Sequence, residues 1–222
     1  MTDDQPALRI AFAPGVTVGK WTRRWAERHP GLALEVFPAA ESDGVAVLHD
    51  QRANLSFVRL PVDREGLSVI PLYSEVAVLV VPRDSELAAS ETVTDSQVSG
   101  LAKVAEYSSA GSVKDAVALV AAGVGALRLP HSLARLHARK DVVAIPIENA
   151  TATEIALTWL QEETSDLIDE FVGIVRGRTA ASSRAVPTPP TPKVRPVRAA
   201  LPAPAQKKSG QRPSGRSRKR GR

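Results

Sequence analysis

Apolar residues follow two different periods along residues 8–178, and the chain switches between them repeatedly. A period of two is typical of strands, and a period near 3.6 is typical of helices. Short apolar or alternating runs predict strands over residues 8–13, 32–37, 55–58, 102–107, 126–129, 142–147 and 154–160. Residues 67–81 predict two more strands, with a break near Tyr73 and Ser74. The first two strands flank a helix, which indicates a parallel pair with a right-handed crossover.

Helical spacing accounts for most of the segments between these strands. Val18, Trp21 and Trp25 form one apolar stripe in the first of them. Pro30 and Gly31 end this first helix. Helices are expected over residues 16–29, 94–98, 131–140 and 164–177, with weak helical character over 43–50. The alternation of strands and helices predicts an α/β fold.

The most informative run lies at residues 112–147. Ser112 is a suitable cap for a helix, with Asp115 at the third position of a capping box. Gly123 is placed where a left-handed residue would end that helix. A buried strand and Pro130 follow, and then a helix and a second strand.

This run resembles the substrate-binding domain of LysR-type transcriptional regulators, and the resemblance extends over roughly residues 8–178. That family has a helix ending in a VaaGlG-like turn, followed by a strand ending in Leu-Pro. The matching residues here are Val120, Ala121, Ala122, Gly123, Val124, Gly125, Leu129 and Pro130. The order and spacing of the segments carry the resemblance, since no single motif is diagnostic.

The resemblance implies a type II periplasmic-binding-protein-like fold over residues 1–182, with two α/β lobes joined by two crossing strands. Lobe I is expected at about 8–80 and 153–178, and lobe II at about 83–149. The chain is expected to cross between them near Val81 and Pro82. The strand at Leu8 begins close to Met1, so we expect a stand-alone domain without the family's helix-turn-helix.

Charge divides the chain into two parts. Twelve Lys and Arg and no acidic residue lie between Arg184 and Arg222, whereas the remainder has 17 basic and 24 acidic residues and a net charge of −7. Residues 183–222 are rich in proline and have no apolar period, which predicts a disordered tail. Its cations would contact nucleic acid without sequence preference. The residues favoured for this contact are Lys207, Lys208, Arg212, Arg216, Arg218, Lys219, Arg220 and Arg222. The alternative is a solubilising tail.

An inter-lobe cleft is the default ligand site of such an architecture. Gly15, Val16 and Thr17 would open the first helix, whose free N–H groups suit an anion such as a carboxylate. The alternative is an ordinary helix start that Thr17 caps. Arg59 ends a strand at the edge where open α/β sheets bind ligands. It would pair either with a ligand carboxylate or, on the surface, with Asp63 or Glu65.

The resemblance places two segments of the second lobe in the effector cleft. Tyr107, Ser108 and Ser109 end one strand, and Pro130 and His131 join another strand to a helix. His131 would be a hydrogen-bonding or pH-sensitive ligand contact, or simply a solvated residue beside a helix start.

Catalytic and metal-binding patterns do not occur in the sequence. There is no cysteine, the four histidines lack HExxH spacing, and no GxSxG or P-loop motif is present. We therefore expect no metal, no cofactor and no enzymatic activity. An acidic N-terminus without a signal peptide, and no apolar run long enough to span a bilayer, favour a cytoplasmic protein without membrane contact.

These features favour a small-molecule effector receptor linked to transcriptional regulation, with a carboxylate among the candidate ligands. The resemblance implies a homodimer, and a pair with a complete regulator is a second option. One alternative is a nucleic-acid-associated protein that binds through its tail. Another is an enzyme on the same fold, which the absence of an acid–base or nucleophile constellation disfavours.

Overall fold

The computed structural model describes residues 8–101, 104–107 and 112–178. Ten strands are present in this part: β1 Leu8–Phe12, β2 Leu34–Pro38, β3 Leu55–Arg59, β4 Leu67–Glu75, β5 Ala77–Pro82, β6 Val93–Thr94, β7 Val104–Glu106, β8 Ala126–Pro130, β9 Val142–Glu148 and β10 Thr153–Leu160. The same part has six α-helices: α1 Gly19–Arg28, α2 Ala46–His49, α3 Asp95–Ser99, α4 Val113–Ala121, α5 His131–Leu136 and α6 Asp166–Val175. Short 3₁₀ turns lie at Glu41–Asp43, Glu86–Ala89 and Gln161–Glu163. The α/β prediction is confirmed.

The strands form two five-stranded mixed sheets. The first has the order β2-β1-β3-β10-β4, and the second has the order β6-β9-β5-β8-β7. Strand β1 is parallel to β2 and β3, as predicted for the opening of the chain, whereas β10 is antiparallel to both of its neighbours. Because β10 lies between β3 and β4, the last strand of the described residues completes the sheet that β1 started. We call the first sheet with α1, α2 and α6 the first lobe, and the second sheet with α3, α4 and α5 the second lobe.

The first crossing between the lobes lies at Val76, and the prediction of Val81 and Pro82 was wrong. Strand β4 belongs to the first sheet, whereas β5 is the central strand of the second. Both faces of β5 are buried, since Val78 and Val80 pack in one apolar cluster and Leu79 and Val81 in another. A continuous apolar run needs such cover on both faces, and this accounts for its place at the centre of the second sheet.

The helix ends follow the capping signals. Ser112 accepts a hydrogen bond from the Asp115 N–H at the start of α4, as predicted. Gly123 has a φ of +78°, the left-handed conformation expected after that helix. Thr94 and Gln97 form a capping box on α3, and Ser165 caps α6. Helix α5 ends at Leu136, four residues earlier than predicted.

Helix α1 also differs from the prediction, because it begins at Gly19 rather than at Val16. Gly15 has a φ of +82°, which turns the chain before the helix. The Val16 N–H donates to the Ala13 carbonyl at 3.1 Å, and the Val16 side chain is buried in the first lobe's core. Residues 15–17 therefore form a loop before the helix, and the prediction that they open its first turn was wrong.

Candidate inter-lobe site

The two lobes meet where the β1–α1 loop contacts the junction of β8 and α5. A Cβ atom at Gly15 would lie 2.9 Å from the backbone and side chain of Ser132, so only glycine fits this approach. Arg59 secures the contact, because its Nη2 donates at 3.1 Å to both the Pro14 carbonyl and the Ser132 hydroxyl. We call this contact of Pro14, Gly15, Arg59 and Ser132 the bridge.

Arg59 lies at the centre of a buried ionic network. Its side chain has an exposed fraction of 0%, and its Nε donates to Glu75 Oε2 at 2.9 Å. Its Nη1 lies 3.1 Å from Glu41 Oε2, on the 3₁₀ turn after β2. The predicted partners Asp63 and Glu65 were wrong, since Arg59 turns inward to Glu41, which follows β2, and to Glu75, which ends β4.

The surroundings of Arg59 keep its charge. Burial acts to lower the pKa of its guanidinium, but the hydrogen bond to Glu75 and the charges of Glu41 and Glu75 raise that pKa above its ordinary value. The single cation of Arg59 is therefore paired with two carboxylates. Glu41 follows β2, and Glu75 lies beside the crossing at Val76. Removing the cation would leave Glu75 buried without its partner.

Two cavities lie next to the bridge. Pro14 and Leu133 line one of them, whereas their chain neighbours Gly15 and Ser132 line the other. The bridge therefore separates the two spaces. We call them the Tyr107 cavity and the Arg135 cavity.

The Tyr107 cavity has a volume of about 580 Å³ and walls from both lobes. Pro14, Ala40, Glu41 and Ser42 line it from the first lobe, and Tyr107, Ser112, Val113, Lys114, Leu133 and His137 from the second. The Tyr107 hydroxyl donates to Glu41 Oε1 at 3.2 Å across the gap. Burial and the Glu41 charge raise the pKa of Tyr107 to about 12, so its hydroxyl remains a donor at neutral pH.

The Arg135 cavity has a volume of about 480 Å³ and also has walls from both lobes. Gly15, Thr17, Lys20 and Trp21 line it from the first lobe, Tyr73, Ser74, Glu75 and Val76 from the crossing segment, and His131, Ser132 and Arg135 from the second lobe. The Arg135 Nη2 donates to the Gly15 carbonyl at 3.3 Å and the Thr17 hydroxyl at 3.2 Å.

The sequence-predicted site residues divide among these places. Gly15, Thr17 and His131 line the Arg135 cavity, and Tyr107 lines the Tyr107 cavity. Arg59 lies buried between the two. Val16 is packed in the core, and Pro130 is buried at the end of β8, outside both linings. Ser108, Ser109 and the predicted nucleic-acid contacts of the tail lie outside the described residues.

Sequence reasoning missed Glu41, Glu75, Lys114 and Arg135. Glu41 follows β2 and Arg59 ends β3, so both lie at the carboxyl edge of parallel strands, where ligand sites form. The rule that ligand sites form at the carboxyl edge of parallel strands would therefore have identified the segment that contains Glu41. Glu75 ends β4 one residue before the apolar strand β5 begins, and an acid in that place is a signal for the crossing between the lobes.

Among residues 8–101, 104–107 and 112–178, no cluster of His, Asp and Glu has the arrangement needed for a metal ion. No helix in the same part is long and apolar enough to cross a bilayer.

Comparisons with known proteins point in one direction. Residues 2–105 match a family model described as the LysR substrate-binding domain. No curated protein sequence matches the chain. Among solved structures, the effector-binding domain of BenM with its effector benzoate is 18% identical with a TM-score of 0.64, covering 76% of this chain and 90% of that domain.

Two further structures agree. The reduced form of OxyR is 21% identical with a TM-score of 0.64, covering 78% of this chain and 95% of the other. Full-length BenM is 18% identical with a TM-score of 0.64, and the match covers 76% of this chain and 66% of that protein. The chain thus spans about two thirds of full-length BenM. These likenesses establish the two-lobed type II periplasmic-binding-like fold.

Proposed function

We propose that the chain binds a small-molecule effector in the Tyr107 cavity, between its two lobes, because residues 2–105 match the LysR substrate-binding domain and the fold is that of effector-binding domains. The observation that carries the proposal is a cavity of about 580 Å³ into which both lobes direct polar groups. That volume lies within the usual range for sites of small ligands. The role fits a module of a transcription regulator rather than an enzyme.

The chemistry of the cavity walls favours a ligand with both an anionic group and a hydrogen-bond donor. Lys114 and the first turn of α4 lie on the second-lobe side, where backbone N–H groups lack intrahelical acceptors and favour negative charge. Glu41 lies on the opposite side and accepts hydrogen bonds. A carboxylate held by Lys114, with a donor directed at Glu41, would use both walls.

Binding would favour the closed arrangement of the lobes. A ligand that contacts Glu41 and Lys114 together makes both contacts only when the lobes are close, and it shifts the equilibrium by this difference in affinity. The bond between Tyr107 and Glu41 already joins the same two walls. The effector would therefore add to a contact that the protein itself makes.

We also propose that the domain acts as a cytoplasmic homodimer. Leu119 and Val124, on and just after α4, are large apolar side chains exposed on the second lobe. They surround an apolar depression of about 240 Å³ together with Ala105 and Ala116. Sedimentation equilibrium on the full chain tests the pairing, and Leu119→Glu is expected to convert dimer to monomer.

A thermal-shift screen of carboxylate-bearing metabolites on the full chain tests the effector proposal. A compound that binds the native state raises the melting temperature by mass action. Lys114→Gln is expected to weaken such a compound about tenfold, as for the loss of one charge-assisted hydrogen bond. Lys140→Gln, outside the cavity, is the matched control. Equal affinities in the two variants, or no stabilising compound, would contradict the proposal.

A further inference from the structure

We propose that the Arg135 cavity is a second ligand site, which takes a small carboxylate with an apolar body. It lies beyond the bridge from the Tyr107 cavity and shares no lining residue with it. The inference goes beyond the proposed effector site and does not depend on it. Four features of the cavity lead to it: its walls, its charge, the position of Arg135 and its apolar surface.

The walls come from three separate parts of the chain. The β1–α1 loop with the first turn of α1, the segment at Tyr73–Val76, and helix α5 each contribute lining residues. The segments are tied together, since the His131 N–H donates to the Val76 carbonyl at 2.9 Å. A volume of about 480 Å³ accommodates a small organic molecule.

The charge of the cavity is positive. Glu75 is its acidic residue, and that carboxylate already pairs with Arg59 at 2.9 Å. In the part of the chain that the structure describes, neither Lys20 nor Arg135 has a carboxylate within ion-pair distance. Two cations in one cavity that no carboxylate of the described residues neutralises favour an anionic ligand.

Arg135 is held in position for such a ligand. Helix α5 of the second lobe carries it, but its Nη2 donates to Gly15 and Thr17 of the first lobe. The guanidinium has five N–H donors in a planar fork, so the group retains donors for a carboxylate. A ligand bound there would contact Lys20 of the first lobe and Arg135 of the second.

The remaining surface is apolar or aromatic, and it selects a carboxylate over a bare inorganic anion. Val76 and Tyr73 have exposed fractions of 56% and 38%, which are large for apolar and aromatic side chains beside a cavity. The Lys20 Nζ lies 4.2 Å from the centroid of the Trp21 ring, which keeps the ammonium over an aromatic face. A hydrocarbon or aryl group would cover Val76 and Tyr73 while its carboxylate meets the cations.

Isothermal titration of the full chain with phenylacetate tests the site, with phenylacetamide as an uncharged analogue of the same shape. Phenylacetate is expected to bind at least tenfold more tightly than phenylacetamide, and its affinity is expected to fall as salt is added. Trp21 lies in the wall, so binding is also expected to change the tryptophan fluorescence. Equal affinities for the acid and the amide would overturn the proposal.

A pair of double variants locates the binding. K20Q/R135Q is expected to weaken phenylacetate at least tenfold, whereas R23Q/R139Q, which removes the same charge outside the cavity, is expected to leave its affinity unchanged. K20Q alone keeps the contacts of Arg135 with the loop, and it is expected to weaken binding several-fold without lowering the melting temperature. Equal affinities in the two double variants would overturn the site. Loss of phenylacetate binding in Lys114→Gln would instead place the ligand in the Tyr107 cavity, and would also overturn it.

Discussion

The two lobes have similar sheets but differently built cores. All three tryptophans and all four phenylalanines of the chain lie in the first lobe. Trp21 stacks on Phe57 with ring centroids 4.9 Å apart and an interplanar angle of 17°, and Phe171 meets Phe57 edge-on at 6.3 Å. The buried clusters of the second lobe consist of Val, Leu, Ile and Ala.

The lobes also differ in how the chain builds them. The second lobe is one continuous segment from β5 to β9, whereas the first lobe needs β10 and α6 from the end of the body. Ile155, Leu157 and Phe171 in these late elements are buried against the earliest strands. The first lobe therefore joins distant segments through large rings, and the second joins near segments through small branched side chains. We infer that ring packing in the first lobe contributes most to overall stability.

Removal of a ring from the first lobe gives the largest expected effect. Phe57→Ala is expected to lower the free energy of unfolding by about 4 kcal/mol, because it deletes contacts with two rings and leaves a cavity. Val80→Ala in the second lobe removes less apolar volume and is expected to cost about 2 kcal/mol. Urea unfolding followed by circular dichroism measures both.

Phe37→Ala controls for the loss of a phenylalanine as such, since Phe37 is only partly buried and lies outside the ring cluster. It is expected to cost less than Phe57→Ala. Equal losses for Phe57→Ala and Val80→Ala would remove the distinction between the cores.

The same contrast explains what the sequence predicts well. Periodicity located strands such as β10 because their apolar side chains are buried, and α6 because its apolar residues recur at helical spacing. It missed β6, which has only two residues. The crossing was misplaced because β4 and β5 follow each other with only Val76 between them. An apolar run shows that a strand is buried, but it does not show in which sheet.

The candidate site was predicted less completely, for a different physical reason. Gly15, Thr17, His131 and Tyr107 follow strands or precede helices, and those positions can be read locally. The partners of Arg59 cannot be read from the local sequence, since they depend on where the segments that carry Glu41 and Glu75 come together in space. The start of α1 was misjudged because Gly15 and Val16 form a turn closed on Ala13, which no helical period reveals.

Removing the Arg59 cation tests whether contacts between the lobes contribute as much to the free energy of unfolding as the aromatic rings of the first lobe do. Arg59→Met is expected to lower the free energy of unfolding by about 3 kcal/mol, because Glu75 would remain buried without its partner. Arg59→Met combined with Glu75→Gln is expected to recover part of this loss, since no buried charge is then left unpaired. Urea unfolding of the two variants and of Glu75→Gln gives the coupling between them.

Two outcomes of the Arg59 experiment separate the explanations. Recovery in the double variant shows that the cost lies in an unpaired carboxylate. If the double variant is as unstable as the sum of the single ones, the ion pair is not the source, and the hydrogen bonds from Arg59 to Pro14 and Ser132 carry the effect instead.

The smallest expected effect compares the two cavities through the only two tyrosines of the chain, Tyr73 and Tyr107. Burial raises the pKa of both hydroxyls, helped by Glu75 at Tyr73 and by Glu41 at Tyr107, where the pKa reaches about 12. A raised pKa in the folded state means that the native protein keeps a proton which the unfolded chain releases near pH 10. The stabilisation from Tyr107 is therefore complete below that pH and is lost as the pH rises from about 10 to about 12.

Tyrosinate absorbance measured against pH in Tyr73→Phe reports Tyr107 alone, and in Tyr107→Phe it reports Tyr73 alone. Tyr107 is expected to ionise at a higher pH than a free tyrosine side chain, and Glu41→Gln is expected to lower the pKa of Tyr107. An unshifted pKa of Tyr107 would mean that the space between Glu41 and the second lobe is open to water.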